Sequence, residues 1–154
     1  MLDLMELKWT KNIKDPDKWA YKDIPLIYPD LKIFTLAWRN FENKDIENAK
    51  APKEGDQIIL RQKGKVTHIV QLLNNQLYFD KYATNEFSIY RLVNVVWMAD
   101  FLNNPPDNEE VFGCHINFPA NGKVISLANI QQFQNRWGEG GLTEFQQHIS
   151  KVLS

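Results

Sequence analysis

Residues 55–82 read GDQIILRQKGKVTHIVQLLNNQLYFDKY, and this stretch decides the fold. Gly55-Asp56 opens a run of strand formers from Gln57 to Gln62, Lys63-Gly64-Lys65 reverses the chain, and a second run follows from Val66 to Leu73. Short turns of Gly or Asn between β-branched runs are hairpin signals. Asn74-Asn75 makes the next tight turn, before a strand from Gln76 to Tyr82. Phe87 to Met98 then reads as a longer strand. On one parity of it lie Phe87, Ile89, Val93, Val95 and Trp97, with Arg91 the exception.

Upstream, Leu31 to Trp38 is rich in strand formers, and Arg39 to Lys50 is polar enough for a short surface helix or a loop. Ala51 to Asp56 is a turn. The first thirty residues carry turn signals at Asp15-Pro16 and Tyr28-Pro29-Asp30 without clear periodicity, and are expected to form an N-terminal extension or a short strand and helix. Downstream, Asn103 to Asn108 holds two prolines and cannot continue a strand. Val111 to Phe118 is expected as a strand, with Asn121-Gly122 as a hairpin turn into Lys123 to Leu127. Ile130, Phe133 and Trp137 mark one helical face, and Leu142, Phe145, Ile149, Val152 and Leu153 a second. Thr143 and Gln146 have the spacing of a capping box, and Gly138, Gly140 and Gly141 separate the two helices. Short antiparallel strands with helices at the ends predict a single α+β domain over residues 1–154, a curled antiparallel sheet or small β-barrel with flanking helices.

A chain of 154 residues buries roughly 68–70% of its unfolded surface, and the 44% hydrophobic fraction supplies a core. No apolar run reaches the ~18 residues of a membrane helix, so no membrane partner is expected. The acidic start Met1-Leu2-Asp3-Leu4-Met5-Glu6 is unlike a secretory signal, and the single Cys114 suits a reducing compartment. A cytoplasmic location is the expectation. A net charge of −1, from 18 basic and 19 acidic residues, argues against coating duplex DNA through phosphates alone. It leaves room for a pocket that reads one base with a few cations around it.

The chemistry-bearing residues do not assemble into a catalytic set. His68, His115 and His148 have no partners at metal-ligand spacing, and Cys114 and His115 are adjacent on a predicted strand, where they point to opposite faces. There is no G-x-S-x-G elbow, Walker loop or dinucleotide fingerprint, and Glu109-Glu110 reads as solvated carboxylates. The expectation is a binding module, not an enzyme, with no metal and no cofactor.

One constellation remains. Trp38-Arg39-Asn40 sits where a strand gives way to a polar segment, Gly55-Asp56 opens the next strand, and Val93 to Trp97 forms a third piece. Over about residues 31–106 this arrangement resembles the PUA-like superfamily, and within it the EVE and YTH domains that bind modified bases. The resemblance implies a pocket that holds one base, often methylated, between aromatic faces, in single-stranded or flipped-out nucleic acid. Such a domain could be the reader of a restriction or defence system. Base–aromatic stacking contributes roughly 1–3 kcal/mol. Trp38 is then the stacking wall, Asn40 an edge-reading amide, and Trp97 or Tyr90 the second wall, while Arg39, Arg61, Lys63 and Lys65 hold phosphates. Plain readings stand beside each role. The parity of Trp97 favours core packing, Asn40 suits a helix cap, and Lys63-Gly64-Lys65 is an ordinary exposed turn. The alternative to nucleic acid is a protein–protein interaction or assembly domain.

Overall fold

In the computed structural model, residues 2–24, 26–27, 31–82 and 87–154 are described. The turn expected at Tyr28-Pro29-Asp30 lies outside them. Among the described residues eight strands are formed: β1 (Leu7–Asn12), β2 (Leu26–Ile27), β3 (Leu31–Arg39), β4 (Gln57–Gln62), β5 (Lys65–Leu72), β6 (Tyr78–Phe79), β7 (Phe87–Met98) and β8 (Val124–Ser126). Four α-helices accompany them: α1 (Ile46–Lys50), α2 (Asn108–Phe112), α3 (Gln131–Trp137) and α4 (Leu142–Val152). The strand order is β2-β3-β7-β5-β4-β1-β8, with β6 beside β7. The sheet is mixed and open: β1 runs parallel to β4, and every other pairing is antiparallel. A closed barrel, one form of the predicted architecture, is therefore replaced by an open sheet.

Buried apolar residues occupy both faces of the sheet. On one face Leu7, Ile59, Val66 and Ile69 pack with Val111 and Phe112 of α2, Phe133 of α3, and Phe145 and Ile149 of α4. On the other, Leu36 and Trp38 of β3 meet Ile58, Leu60, Val70, Ile89, Val93 and, from the far end of the sheet, Val124 of β8. Strands near opposite ends of the strand order thus share one cluster, which requires the sheet to curl. Asn48 of α1 ties the two ends. Its Oδ1 accepts from Trp38 Nε1 at 3.1 Å and from Val124 N at 2.9 Å, and its Nδ2 donates to the Val124 carbonyl at 2.9 Å. β4 is buried at all six positions because it lies inside the sheet with a core on each side.

Several expected elements change. Of the readings of the opening residues, the short strand forms, as β1, and it lies inside the sheet between β4 and β8. The strand expected at Val111–Phe118 is replaced by α2, whose first turn carries Glu109 and Glu110 near the positive end of the helix and whose stop is Gly113 at φ +71°. Asn121-Gly122 does not close a hairpin, because β8 pairs with β1. The strand of Gln76–Tyr82 shrinks to the two residues of β6, which pair with β7 instead of β5. Thr143 lies inside α4, whose N-cap is Gly141 with no side-chain cap bond.

One titratable group is buried among aromatic rings on the same side of the sheet as Trp38. His68 is fully buried, with rings of Phe34 and Phe101 each 5.9 Å away. Its Nε2–H donates to the Tyr21 carbonyl at 2.9 Å, and Nδ1 meets the Thr67 hydroxyl at 2.8 Å. Burial pulls its pKa from 6.5 down to about 4. Between those two values the unfolded chain binds the extra proton, so stability falls as pH drops through that window, by about 3 kcal/mol in all. His68→Phe should lack this acid lability, and urea midpoints at a series of pH values check it. Identical acid profiles for the two proteins would remove the assignment.

Candidate functional site

The residues singled out from the sequence do not converge. Trp38 is 1% exposed in the concave core, so neither ring face is open to a guest. Its proposed role as a stacking wall is corrected on that ground. Trp97 packs, half-buried, on the opposite face, against the helices. The switch comes from a bulge: Ile69 pairs with Trp97 but Val70 with Val95, so one extra residue of β7 turns Trp97 away from the side of Val93. Arg39 turns to Asp45, with Nε 3.7 Å from Oδ2. Asn40 is not a helix cap, since its Nδ2 donates to Asn43 Oδ1 at 3.3 Å while the N-cap of α1 is Asp45. Tyr90 donates its hydroxyl to the Phe87 carbonyl at 3.2 Å.

The cations expected to hold phosphates are occupied elsewhere. Arg61 is buried, its Nε donates to Thr10 Oγ1 at 2.8 Å, and its guanidinium lies 3.6 Å from the Phe118 ring centre. Burial lowers its pKa to about 9, which still leaves the guanidinium charged at neutral pH. Lys65 pairs with Asp107 at 2.5 Å, and Lys63 sits 5.1 Å over the Trp19 ring. His115 joins Glu109 and Asn117 at the surface, and among the described residues no group of three acids, histidines or cysteines is placed to hold a metal.

A different cleft gathers cationic and aromatic side chains. Where the curled sheet fails to close, Lys11 and Ile13 face Ala37 of β3 and Phe87 of β7 across a gap of about 270 Å³, which Lys14, Asp15, Lys18 and Tyr21 complete. That is near the lower bound of the ~300–1,000 Å³ typical of ligand pockets, enough for one base or one phosphate-bearing group. Tyr21 is held in place: its backbone takes φ +56°, its hydroxyl accepts from Ala37 N at 3.1 Å, and one ring face stacks on Phe34 at 4.3 Å. Gln62 anchors the wall, donating to the carbonyls of Asp15 and Lys18 at 2.9 and 2.7 Å and accepting from Ala20 N at 3.0 Å.

Lys11 forms the floor. It is 1% exposed, its Nζ donates to the Gly122 carbonyl, and it lies 4.9 Å from the Trp38 ring centre. Among the described residues no carboxylate forms an ion pair with it. Burial, helped by the like charge of Arg61 and opposed by Asp45, pulls its pKa down to about 7. A Cβ added at Gly122, at φ +70°, would lie 4.0 Å from Lys11 Nζ and 3.7 Å from Lys14 Cδ, so the 121–122 loop forms a backbone wall beside both lysines.

This cleft was legible only as a composition. Residues 8–22 place Lys8, Lys11, Lys14, Lys18 and Lys22 among Trp9, Trp19 and Tyr21, a basic stretch interleaved with aromatics. Its pairing with β3 across the open edge is a tertiary fact. No helix among the described residues is long and apolar enough to cross a membrane. Comparison with known proteins finds no family model, no curated protein and no solved structure that matches this chain.

Proposed function

We propose that this domain binds single-stranded or flipped-out nucleic acid, seating one base in the cleft at the open edge of the sheet. The observation that carries the reading is the cleft itself, where three lysines against one aspartate share a base-sized space with Tyr21 and Phe87. A base offers a π-face to such rings, while its flanking phosphates seek cations. The resemblance to PUA-like readers of modified bases points to the same ligand class, with a different set of side chains. A methyl group on the base would add apolar area against Ile13 and Ala37.

Lys14→Glu together with Lys18→Glu should weaken binding of a labelled single-stranded oligonucleotide at least about tenfold and reduce its salt dependence, because two phosphate contacts become repulsive. Fluorescence anisotropy on wild type and variant, with methylated and unmethylated bases and a duplex control, reads this. Wild-type binding no tighter than that of the charge-reversed variant would remove the proposal, and equal affinity for every modification would remove selectivity for a methylated base.

A protein-interaction reading has its own observation. Phe79 is 56% and Tyr82 81% exposed at and just after the two-residue β6, which pairs with β7 alone among the described residues. Exposed aromatics at a short sheet edge suit a partner chain. Light scattering and anisotropy on the wild type and a Phe79→Ser, Tyr82→Ser variant separate the two readings: self-association that the variant loses, with no oligonucleotide binding by either protein, supports the second.

A further inference from the structure

We infer that the cleft is an anion site in which Lys11 is the charge-bearing floor, and that a phosphate or sulfate group entering it brings one proton with it onto Lys11 Nζ. The inference deepens the assignment of the cleft as the ligand site and rests on that placement, but it requires only the anionic group and no base.

The argument starts from an imbalance. A lysine side chain is almost never fully buried unless its charge is paired, because removing an ammonium from water is costly. Lys11 is buried, and among the described residues its hydrogen-bond acceptor is the Gly122 carbonyl. The groups that face it are known from each neighbouring element. Arg61 of β4 and Lys14 of the segment after β1 repel its charge, and Asp45, just before α1, attracts it. The Trp38 ring of β3 covers another side. Asp45 is shared, since its Oδ2 accepts from Phe41 N at 3.0 Å and lies 3.7 Å from Arg39 Nε. The remaining acid of the cleft, Asp15, caps a turn through the backbone N–H groups of Asp17 and Lys18 at 3.0 and 3.3 Å. The arrangement therefore holds a buried amine short of counter-charge beside a gap flanked by two further lysines.

An oxyanion in that gap supplies the missing charge. It favours the ammonium form of Lys11, so the amine nitrogen takes a proton from solvent as the anion binds, and no covalent bond to the ligand forms or breaks. With the free amine titrating at about 7, occupation near pH 8 consumes a proton that is not already present. Lys14 and Lys18 complete the shell at the mouth. The Gly122 carbonyl, which a phosphate oxygen would repel, orients Nζ without neutralising it.

Sulfate is the probe, because it remains a dianion across the range of interest. Calorimetric titrations of the full chain between about pH 6 and 9, each in two buffers of different ionisation enthalpy, count the protons taken up. The expected result is an uptake approaching one proton per anion at pH 8, and an affinity that weakens about tenfold per pH unit above about 7.5. Lys11→Met should abolish the uptake and flatten the pH profile. Binding without proton uptake, an unchanged profile in Lys11→Met, or no sulfate binding at any pH in the range would each overturn the inference. The proton count on the unmutated chain decides the matter even where the variant does not fold. An oligodeoxyadenylate, whose phosphodiesters and bases do not titrate there, forms a parallel arm. If it fails to bind while sulfate behaves as expected, the nucleic-acid reading is lost and the anion site stands.

Discussion

Arg91→Met is expected to destabilise the fold by about 3–5 kcal/mol. Arg91 is fully buried on the concave face of β7. Its Nη1 donates to the carbonyls of Ala49 and Pro52 at 2.7 and 2.8 Å, and Nη2 to the Asn74 carbonyl at 2.9 Å. Those acceptors belong to the end of α1, the turn into β4 and the exit from β5. None of the three carbonyls sits within a strand ladder, so methionine fills the space and leaves them without this donor. A carbonyl left unpaired and out of water costs roughly 1–3 kcal/mol. Arg91→Lys should recover less than half of the loss, because one ammonium on a flexible stem cannot reproduce a planar fork spanning three acceptors. Urea unfolding followed by far-ultraviolet circular dichroism measures both. A loss under about 1 kcal/mol for the methionine variant would show that the fork is not what holds these segments together.

Trp38→Ala comes next, with an expected loss of about 3–5 kcal/mol from a large cavity and from the missing Nε1–H bond to Asn48. The ring lies among Leu36, Ile58, Leu60, Ile89 and Val93, and its nitrogen reaches the asparagine that links α1 to β8. Removing it should therefore loosen the contact between the two ends of the curled sheet as well as the core. Trp38→Phe restores most of the volume but not the donor, and should fall between the alanine variant and wild type. Because no ring face is open, the phenylalanine variant should bind oligonucleotides as wild type does. A selective loss of binding with stability intact would instead return Trp38 to the ligand site.

Arg91 and Trp38 also mark how far the sequence could be read. Period-two alternation placed Arg91 on the same face as Ile89 and Val93, where it does lie. Alternation could not say that a charged group there would be satisfied, since its three acceptors come from residues 49, 52 and 74. The same alternation failed for Trp97 because a single bulged residue reverses every face beyond it, and nothing local in Val95-Val96-Trp97 announces the bulge. Trp38 ended a strand among polar neighbours, which suited a pocket. The cover over it comes from residues far away in sequence.

Local chemistry by itself determined much of the rest. The strands at 57–62 and 87–98, the turn at residues 63–64, and the two C-terminal amphipathic helices follow from side-chain period, turn-forming residues and glycine stops, all of which act within a few residues. Only the tertiary structure decided that β1 enters the sheet parallel to β4, that the curled sheet stays open, and that Lys11 comes to lie at the floor of the gap with no ion pair to any described residue. The reason is physical. Periodicity reports which face of an element avoids water, whereas strand partners, closure and the counter-charges around a buried amine depend on residues distant along the chain, brought together only by the packing of the whole.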